Sequence, residues 1–442
     1  MIWINKSPWR KPGPIVYIGL LNALSFARLG VETELFVAAG EASDTETDLV
    51  EFYGLTPCER LSIHRVPHTG GADGRGPGRL SGWFAGAERG VYRAALAEVA
   101  RACEAGARVL VLTRELGCLP ALFRLRRRFP QLRVMHEAHD FLMARGHRGR
   151  WRWSDLRRLA AERLLLPRLD ALVTLTEYQR ALYAQHLPGL PVQALPLGTL
   201  IAEDGLADGL FGRAGGPATV ETEADSQENA EPPQVFLLPR GAEPALAISR
   251  GHLEDDAEAR RSLRTVAYVG HLHAGKGLER LLELAVLLAP EGVRFVCLGG
   301  HPHQTGALTD RARTLGLAHA IEFMPFVAPR VMHRWLAERV SVALVPLADT
   351  YYNRYLTCPV KALDALSQGL PVVASDLPGV RAVLGEAALY GDVVVEQAAA
   401  IRSLLDDARC YARARAASRE RARALSWTRR ARAILQLAET LA

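Results

Sequence analysis

The feature that most constrains the fold is an alternation of short apolar runs with longer amphipathic stretches, which occurs twice and is interrupted once. In the first run, ETELFVAA, VLVLT (109–113), LRVMHE (132–137) and ALVTLT (171–176) read as strands. Helical stretches separate them: IVYIGLLNALSFARLG, about 86–105, LPALFRLRRRF, about 154–166, and YQRALYAQH, with PVQALPLG (191–198) as an extended exit. Short strands joined by longer helices imply βαβ units, because parallel neighbours need a crossover connection.

The pattern stops between about 201 and 262. There GRAGGPATVETEADSQENAEPP is rich in Gly, Pro, Glu and small residues and has neither a helical nor a strand period. Such a stretch cannot bury enough apolar surface to order itself, so a flexible insertion is expected. Alternation resumes at TVAYVG (265–270), with further strands expected at 293–299, 320–326, 342–346 and 371–375. Helices are expected at 277–289, 305–315, 329–338, 360–368 and 397–405, and the tail SWTRRARAILQLAETL has apolar residues at helical spacing. The expected architecture is α/β, with two Rossmann-like doubly wound domains at 1–200 and 263–415, an insertion or linker at 201–262 and a closing helix at 416–442. No repeat with a fixed period is present, which disfavours a solenoid or propeller.

The net charge of +6 suits an anionic partner, whether a nucleotide diphosphate, a phospholipid surface or a nucleic acid. The six cysteines are scattered without a C-x-x-C pair, so no zinc ribbon or disulfide framework is expected. The opening residues lack the basic-then-apolar order of a secretory signal, and no apolar run is long enough to span a bilayer. A cytoplasmic location is the expectation.

In doubly wound sheets, ligands bind beyond the carboxyl ends of the strands. Three second-domain segments fall there. In VGHLHAGKG, from Val269 to Gly277, Gly270 ends a strand and Lys276 stands just before a helix, where amides and the helix dipole already favour an anion. In TCPVKALDALSQG, Cys358 and Pro359 open a helix whose backbone N–H groups at 359–361, Val360 and Lys361 among them, are expected to face a phosphate. Asp364 lies one turn on, its carboxylate available to a ribose hydroxyl or simply exposed on an amphipathic helix. In PVVASDLPGV, Gly379 either allows close backbone approach to a ligand or makes a turn.

Together, VGHLHAGKG, FVCLGG, IEFMPFV, VALVP and CPVKALDALSQGLPVVASDLPG resemble the family 4 glycosyltransferases of the GT-B fold. The first domain resembles them more loosely, through the Gly13 loop, VLVLTREL, RVMHEAHDF, LDALVTLTEYQ and ALPLG. The resemblance implies two domains facing a cleft, a nucleotide-sugar held by the second and an acceptor by the first. It implies transfer with retention of configuration and no bound metal or cofactor. His271 stands where the family often has arginine, and Leu356 and Asp364 stand where it often has two glutamates. Cys358-Pro359-Val360-Lys361 is similar to a Ser-Pro-x-Lys subgroup that relaxes the first of those positions. By the same resemblance Glu137 and His139 are the expected catalytic pair, His139 near the reacting sugar or acceptor and Glu137 as its partner or an acceptor contact, with His136 and Asp140 as runners-up. Gly13 is expected at the donor phosphate or acceptor, and Arg114 either at an acidic acceptor or as surface charge. A glycan or lipid-linked acceptor used in surface polysaccharide or glycoconjugate synthesis is the implied setting; a catalytically weakened assembly or regulatory subunit is the alternative.

Other signals are weaker. His271-x-His273 and His301-x-His303 lack a third metal ligand. GGADGRGPG does not have the spacing of a dinucleotide site, and no G-x-S-x-G elbow occurs. The segment RGHRGRWRWSDLRRL (145–159) suits peripheral contact with an anionic membrane or a solvated loop, and no nucleic-acid module accompanies it.

Overall fold

A computed structural model describes residues 1–67, 87–143, 153–207, 257–272 and 274–441. Most of the 201–262 insertion, the glycine-rich stretch at 70–82, residues 145–152 and His273 lie outside the described residues.

Two parallel sheets carry the fold. The first joins β1 (Ile2–Pro8), β2 (Thr33–Ala38), β3 (Leu61–Val66), β4 (Val109–Thr113), β5 (Leu132–Ala138), β6 (Ala171–Thr174) and β7 (Val192–Ala194) in the order β3-β2-β1-β4-β5-β6-β7. The second joins β8 (Thr265–Val269), β9 (Arg294–Gly300), β10 (Ile321–Pro325), β11 (Val342–Val345), β12 (Val372–Ala374) and β13 (Ala388–Tyr390) in the order β10-β9-β8-β11-β12-β13. The central strands are buried along their whole length, as expected when helices cover both faces of a parallel sheet. Strand order reverses between β1 and β4 and between β8 and β11. Each reversal opens a crevice at the carboxyl ends of those strands, and the two crevices face each other.

Several elements escaped the sequence pattern. In β1 the apolar run breaks at Asn5, Lys6 and Ser7, yet Asn5 and Ser7 are buried because the Ser7 amide donates to Asn5 Oδ1 at 3.0 Å. Strand β3 sits at a sheet edge and is only half-buried, so it lacks a clean alternation. The arginine-rich helix Ala408–Ala424 packs on the helix Val360–Ser367 and runs past residue 416, where the closing segment was expected to begin.

The chain then returns to the first domain. The amide of Thr199 donates to Leu425 O at 3.0 Å, and the amide of Trp427 donates to Thr199 O at 3.2 Å. A Cβ on Gly198 would lie 2.5 Å from the Trp427 ring, so only glycine lets these segments touch. The helix Trp427–Thr440, capped by Ser426 Oγ, packs its buried Trp427, Ala431 and Ile434 against the helix Pro14–Arg28.

A second junction is made by the turn Tyr352–Leu356. Leu356 is buried in the core of the first domain, Thr176 Oγ1 donates to Tyr355 O at 2.7 Å, and Tyr178 stacks on Tyr355 with ring centroids 4.1 Å apart. Among the described residues, no helix is long and apolar enough to cross a membrane.

Candidate active site

A cavity of about 320 Å³ lies between the two sheets at their carboxyl ends. It is lined by Gly13, Arg114, His139, Gly270, His271, Lys276, Cys358, Pro359, Val360, Lys361 and Asp364. Of the residues proposed from sequence, Glu137, His136, Asp140 and Gly379 do not line it.

The second-domain wall is built on the loop after β8. Gly270 has φ 130°, and Gly277, before the helix Leu278–Leu288, has φ 81°. A Cβ on Gly277 would lie 1.6 Å from Pro346 O, so the loop carrying Lys276 closes down on the end of β11 only with glycine there. Asn353 holds this loop from the other side, donating from Nδ2 to Gly275 O and Ala348 O, both at 2.9 Å.

Lys361 enters from the helix Val360–Ser367. Its Nζ is buried, has no hydrogen-bond partner among the described residues, and lies 3.9 Å from the centroid of the Tyr268 ring. Burial first, and the charge of Lys276 second, push the Lys361 ammonium well below the usual lysine range. Burial lowers Lys276 as well. Two lysine side chains thus line one cavity, and among the described residues neither has an ion-pair partner. His271 also lines this wall, edge-on to Phe326 with ring centroids 5.0 Å apart.

The helix Val360–Ser367 starts here without a side-chain cap. One expectation needs correction: Pro359 has no N–H, so the amides free to meet an anion are those of Val360 and Lys361, the Ala362 amide being bonded to Pro359 O at 2.8 Å. Gly379 is also corrected. It lies in the first turn of the helix Pro378–Leu384, where a Cβ would come within 3.0 Å of Arg354 O, and it does not line the cavity. Its smallness serves backbone packing.

Asp364 is mostly buried, and that burial raises its carboxyl to about 7. Its Oδ1 lies 3.6 Å from Nε2 of His333, which burial lowers to about 4 and so keeps neutral near neutral pH. Tyr17 Oη of the first domain reaches the same nitrogen at 3.3 Å, and Gln368 Nε2 reaches Nδ1 at 3.3 Å. Leu356, in one of the two positions where the resemblance implies glutamate, is turned into the first domain's core.

The first-domain wall begins at Gly13, with φ 96°, which opens the helix Pro14–Arg28 without a side-chain cap. A Cβ on Gly13 would lie 3.3 Å from His271 Cε1, so this glycine lets the two domains approach. Arg114 follows β4, and His139 follows β5. His139 Nε2 lies 2.5 Å from Glu137 Oε1. Burial, then Arg114, lowers His139 from its ordinary value.

Glu137 is buried behind the wall, where it is the partner of His139 and not an acceptor contact. Arg430 donates from Nη2 to its Oε2 at 2.5 Å, from Nη1 to Asn22 Oδ1 at 2.5 Å and from Nε to Pro196 O at 3.0 Å. Burial alone would raise the Glu137 carboxyl; Arg430 and His139 outweigh it and hold the group well below the carboxylate range. As a permanent carboxylate Glu137 accepts the Nε2–H of His139, which leaves Nδ1 as an acceptor. Neither runner-up lines the cavity: His136 is buried, and Asp140 lies 3.6 Å from Arg158. Among the described residues, no three His, Cys, Asp or Glu side chains are grouped to hold a metal ion.

Sequence reasoning missed Tyr268, Asn353, His333, Tyr17 and Arg430. The first two are hidden in a strand and a turn, and Arg430 is one arginine among many in an amphipathic helix. His333 reaches Asp364, and Tyr17 reaches His333, only through tertiary contact.

Residues 264–407 match the model of the Glycosyl transferases group 1 family. D-inositol 3-phosphate glycosyltransferase of Kineococcus radiotolerans is 26% identical over 326 residues, covering 66% of this chain and 70% of that protein. Sucrose-phosphate synthase from Thermosynechococcus elongatus has TM-score 0.60 and 16% identity, covering 100% of this chain and 98% of its own. Anabaena HepE, solved in complex with UDP-glucose, has TM-score 0.60 and 14% identity, with coverage of 100% and 98%. The chain therefore has the GT-B fold, and its second domain is similar to the glycosyl transferases group 1.

Proposed function

We propose that this protein is a nucleotide-sugar-dependent glycosyltransferase of family 4 that transfers a hexosyl group with retention of configuration. The observation that carries the reading is the convergence of Lys276 and Lys361 on one cavity at an uncapped helix N-terminus. Lysine ammonium groups and free amides suit a diphosphate, and they are most effective where charge builds on a leaving group. Similarity to a glycosyltransferase and to a UDP-glucose-binding protein points to the same donor class.

In this reading the bond between the sugar and the diphosphate breaks, and its electron pair leaves on the phosphate oxygen. The acceptor hydroxyl oxygen forms the new bond on the same face, and its proton passes to the departing phosphate. Lys276, Lys361 and the amides of Val360 and Lys361 stabilise the developing charge without calling on a metal. Asp364 accepts a ribose hydroxyl. His139, neutral and oriented by Glu137, accepts a hydroxyl of the sugar or acceptor through Nδ1. Gly13 and Arg114 line the acceptor side, where a glycan or lipid-linked acceptor used in surface polysaccharide synthesis is the proposed partner. The proposed location is the cytoplasm.

A second reading, an assembly subunit with weakened chemistry, is favoured by one observation: Leu356 is buried in the first domain and supplies no acid to the cavity. A thermal-shift screen with UDP- and GDP-sugars, followed by turnover assays on those that bind, separates the two. Stabilisation that is lost in Lys276→Ala supports donor binding, and turnover selects the enzyme. Stabilisation without turnover favours the subunit, and no shift with any nucleotide-sugar overturns the enzyme reading.

A further inference from the structure

We infer that the first-domain half of the cleft binds a second anion through Lys11 and Arg114, so the acceptor carries a phosphate or carboxylate group. This inference rests on the donor reading above. Charge is the deciding quantity. Among the described residues, four lysine or arginine side chains line the cavity, Lys11, Arg114, Lys276 and Lys361, against a single acid, Asp364. Lys276 and Lys361 belong to the second domain and match the two charges of a diphosphate. Asp364 stands beside His333 on that same side.

Lys11 and Arg114 are left on the opposite wall. Among the described residues neither has an ion-pair partner. The acids near Arg114 are already engaged: Glu137 is bonded through one oxygen to His139 and through the other to Arg430, and Glu115 lies 3.5 Å from Lys6 and accepts from Tyr92 at 3.1 Å. The uncapped start of the helix Pro14–Arg28 adds positive potential to the same wall. A bound diphosphate therefore neutralises one side of the cleft and leaves two cations on the other. An acceptor bearing an anion completes the balance, and a planar guanidinium and a mobile ammonium lining one cavity suit either a phosphate or a carboxylate.

The test uses the full chain saturated with UDP. Calorimetric titration compares glucose 6-phosphate and glucuronate with glucose, and co-sedimentation compares phosphatidylglycerol vesicles with phosphatidylcholine vesicles. The expected result is binding of an anionic sugar or of anionic vesicles, but not of their neutral counterparts. Lys11→Ala and Arg114→Ala are each expected to weaken it about tenfold, the loss of one charge-assisted hydrogen bond, while Arg114→Lys keeps part of it. Lys11 is exposed, so its variant folds even if an Arg114 variant does not. Vesicle binding that glucose 6-phosphate displaces assigns a lipid-borne anion; binding of the soluble sugar alone assigns a soluble one. UDP-saturated protein that binds no anion, or binds it equally well after Lys11→Ala and Arg114→Ala, overturns the inference alone. Failure to bind UDP overturns the donor reading and this one with it.

Discussion

The Nζ atom of Lys361 lies 3.9 Å from the centroid of the Tyr268 ring, buried and without a hydrogen-bond partner among the described residues. A ring face offsets part of the desolvation of an ammonium, but it does not replace lost water. The lysine thus burdens the ligand-free fold and becomes favourable when a diphosphate arrives. Lys361→Met keeps the apolar stem and removes the charge. It is expected to stabilise the ligand-free protein by about 1–3 kcal/mol in urea unfolding, the cost of an unsatisfied buried polar group. Calorimetry of the same variant is expected to show weaker UDP binding.

Asp364 links pH to stability. Its carboxyl is raised by burial from 3.8 to about 7, so the folded state holds a proton that the unfolded state has released across that interval. Its contribution is fully present below the unfolded value and is lost as pH rises through about 7. The neighbouring His333, lowered to about 4, gives the opposite slope, but it is present in both proteins when wild type is compared with Asp364→Asn. Urea unfolding from pH 4 to pH 7 is therefore expected to show wild type losing stability relative to Asp364→Asn.

Gly277→Ala combines a positive φ with a methyl group directed at Pro346 O. The backbone of β11's end cannot give way without shifting the sheet, so the Lys276 loop must move instead. The variant is expected to retain its far-ultraviolet circular dichroism and to lose most of its UDP affinity.

Arg430→Ala would leave Glu137 as a buried, uncompensated carboxylate behind the cleft. Breaking such a pair costs about 3–5 kcal/mol. Urea unfolding is expected to show a loss of that order, and Glu137→Gln in the same background is expected to recover part of it.

The alternation of strands and helices made both sheets legible, because a parallel sheet needs apolar strands and long crossovers. Gly270, Lys276 and Pro359 were legible because strand ends and helix starts have local signatures. The rest depends on tertiary contact. Strand β1 hides behind Asn5 and Ser7, whose polarity is satisfied locally. Arg430 reaches Glu137 from across 293 residues, and Tyr17 reaches His333 from across 316. Nothing local to those residues announces the pairing.

The most direct test is the UDP affinity of wild type and Lys276→Ala by isothermal titration calorimetry at constant ionic strength. If two lysines and a helix start hold the diphosphate, wild type binds UDP and Lys276→Ala binds it at least about tenfold more weakly. Equal affinities in the two proteins, or no binding of UDP or GDP to folded wild type, would contradict it.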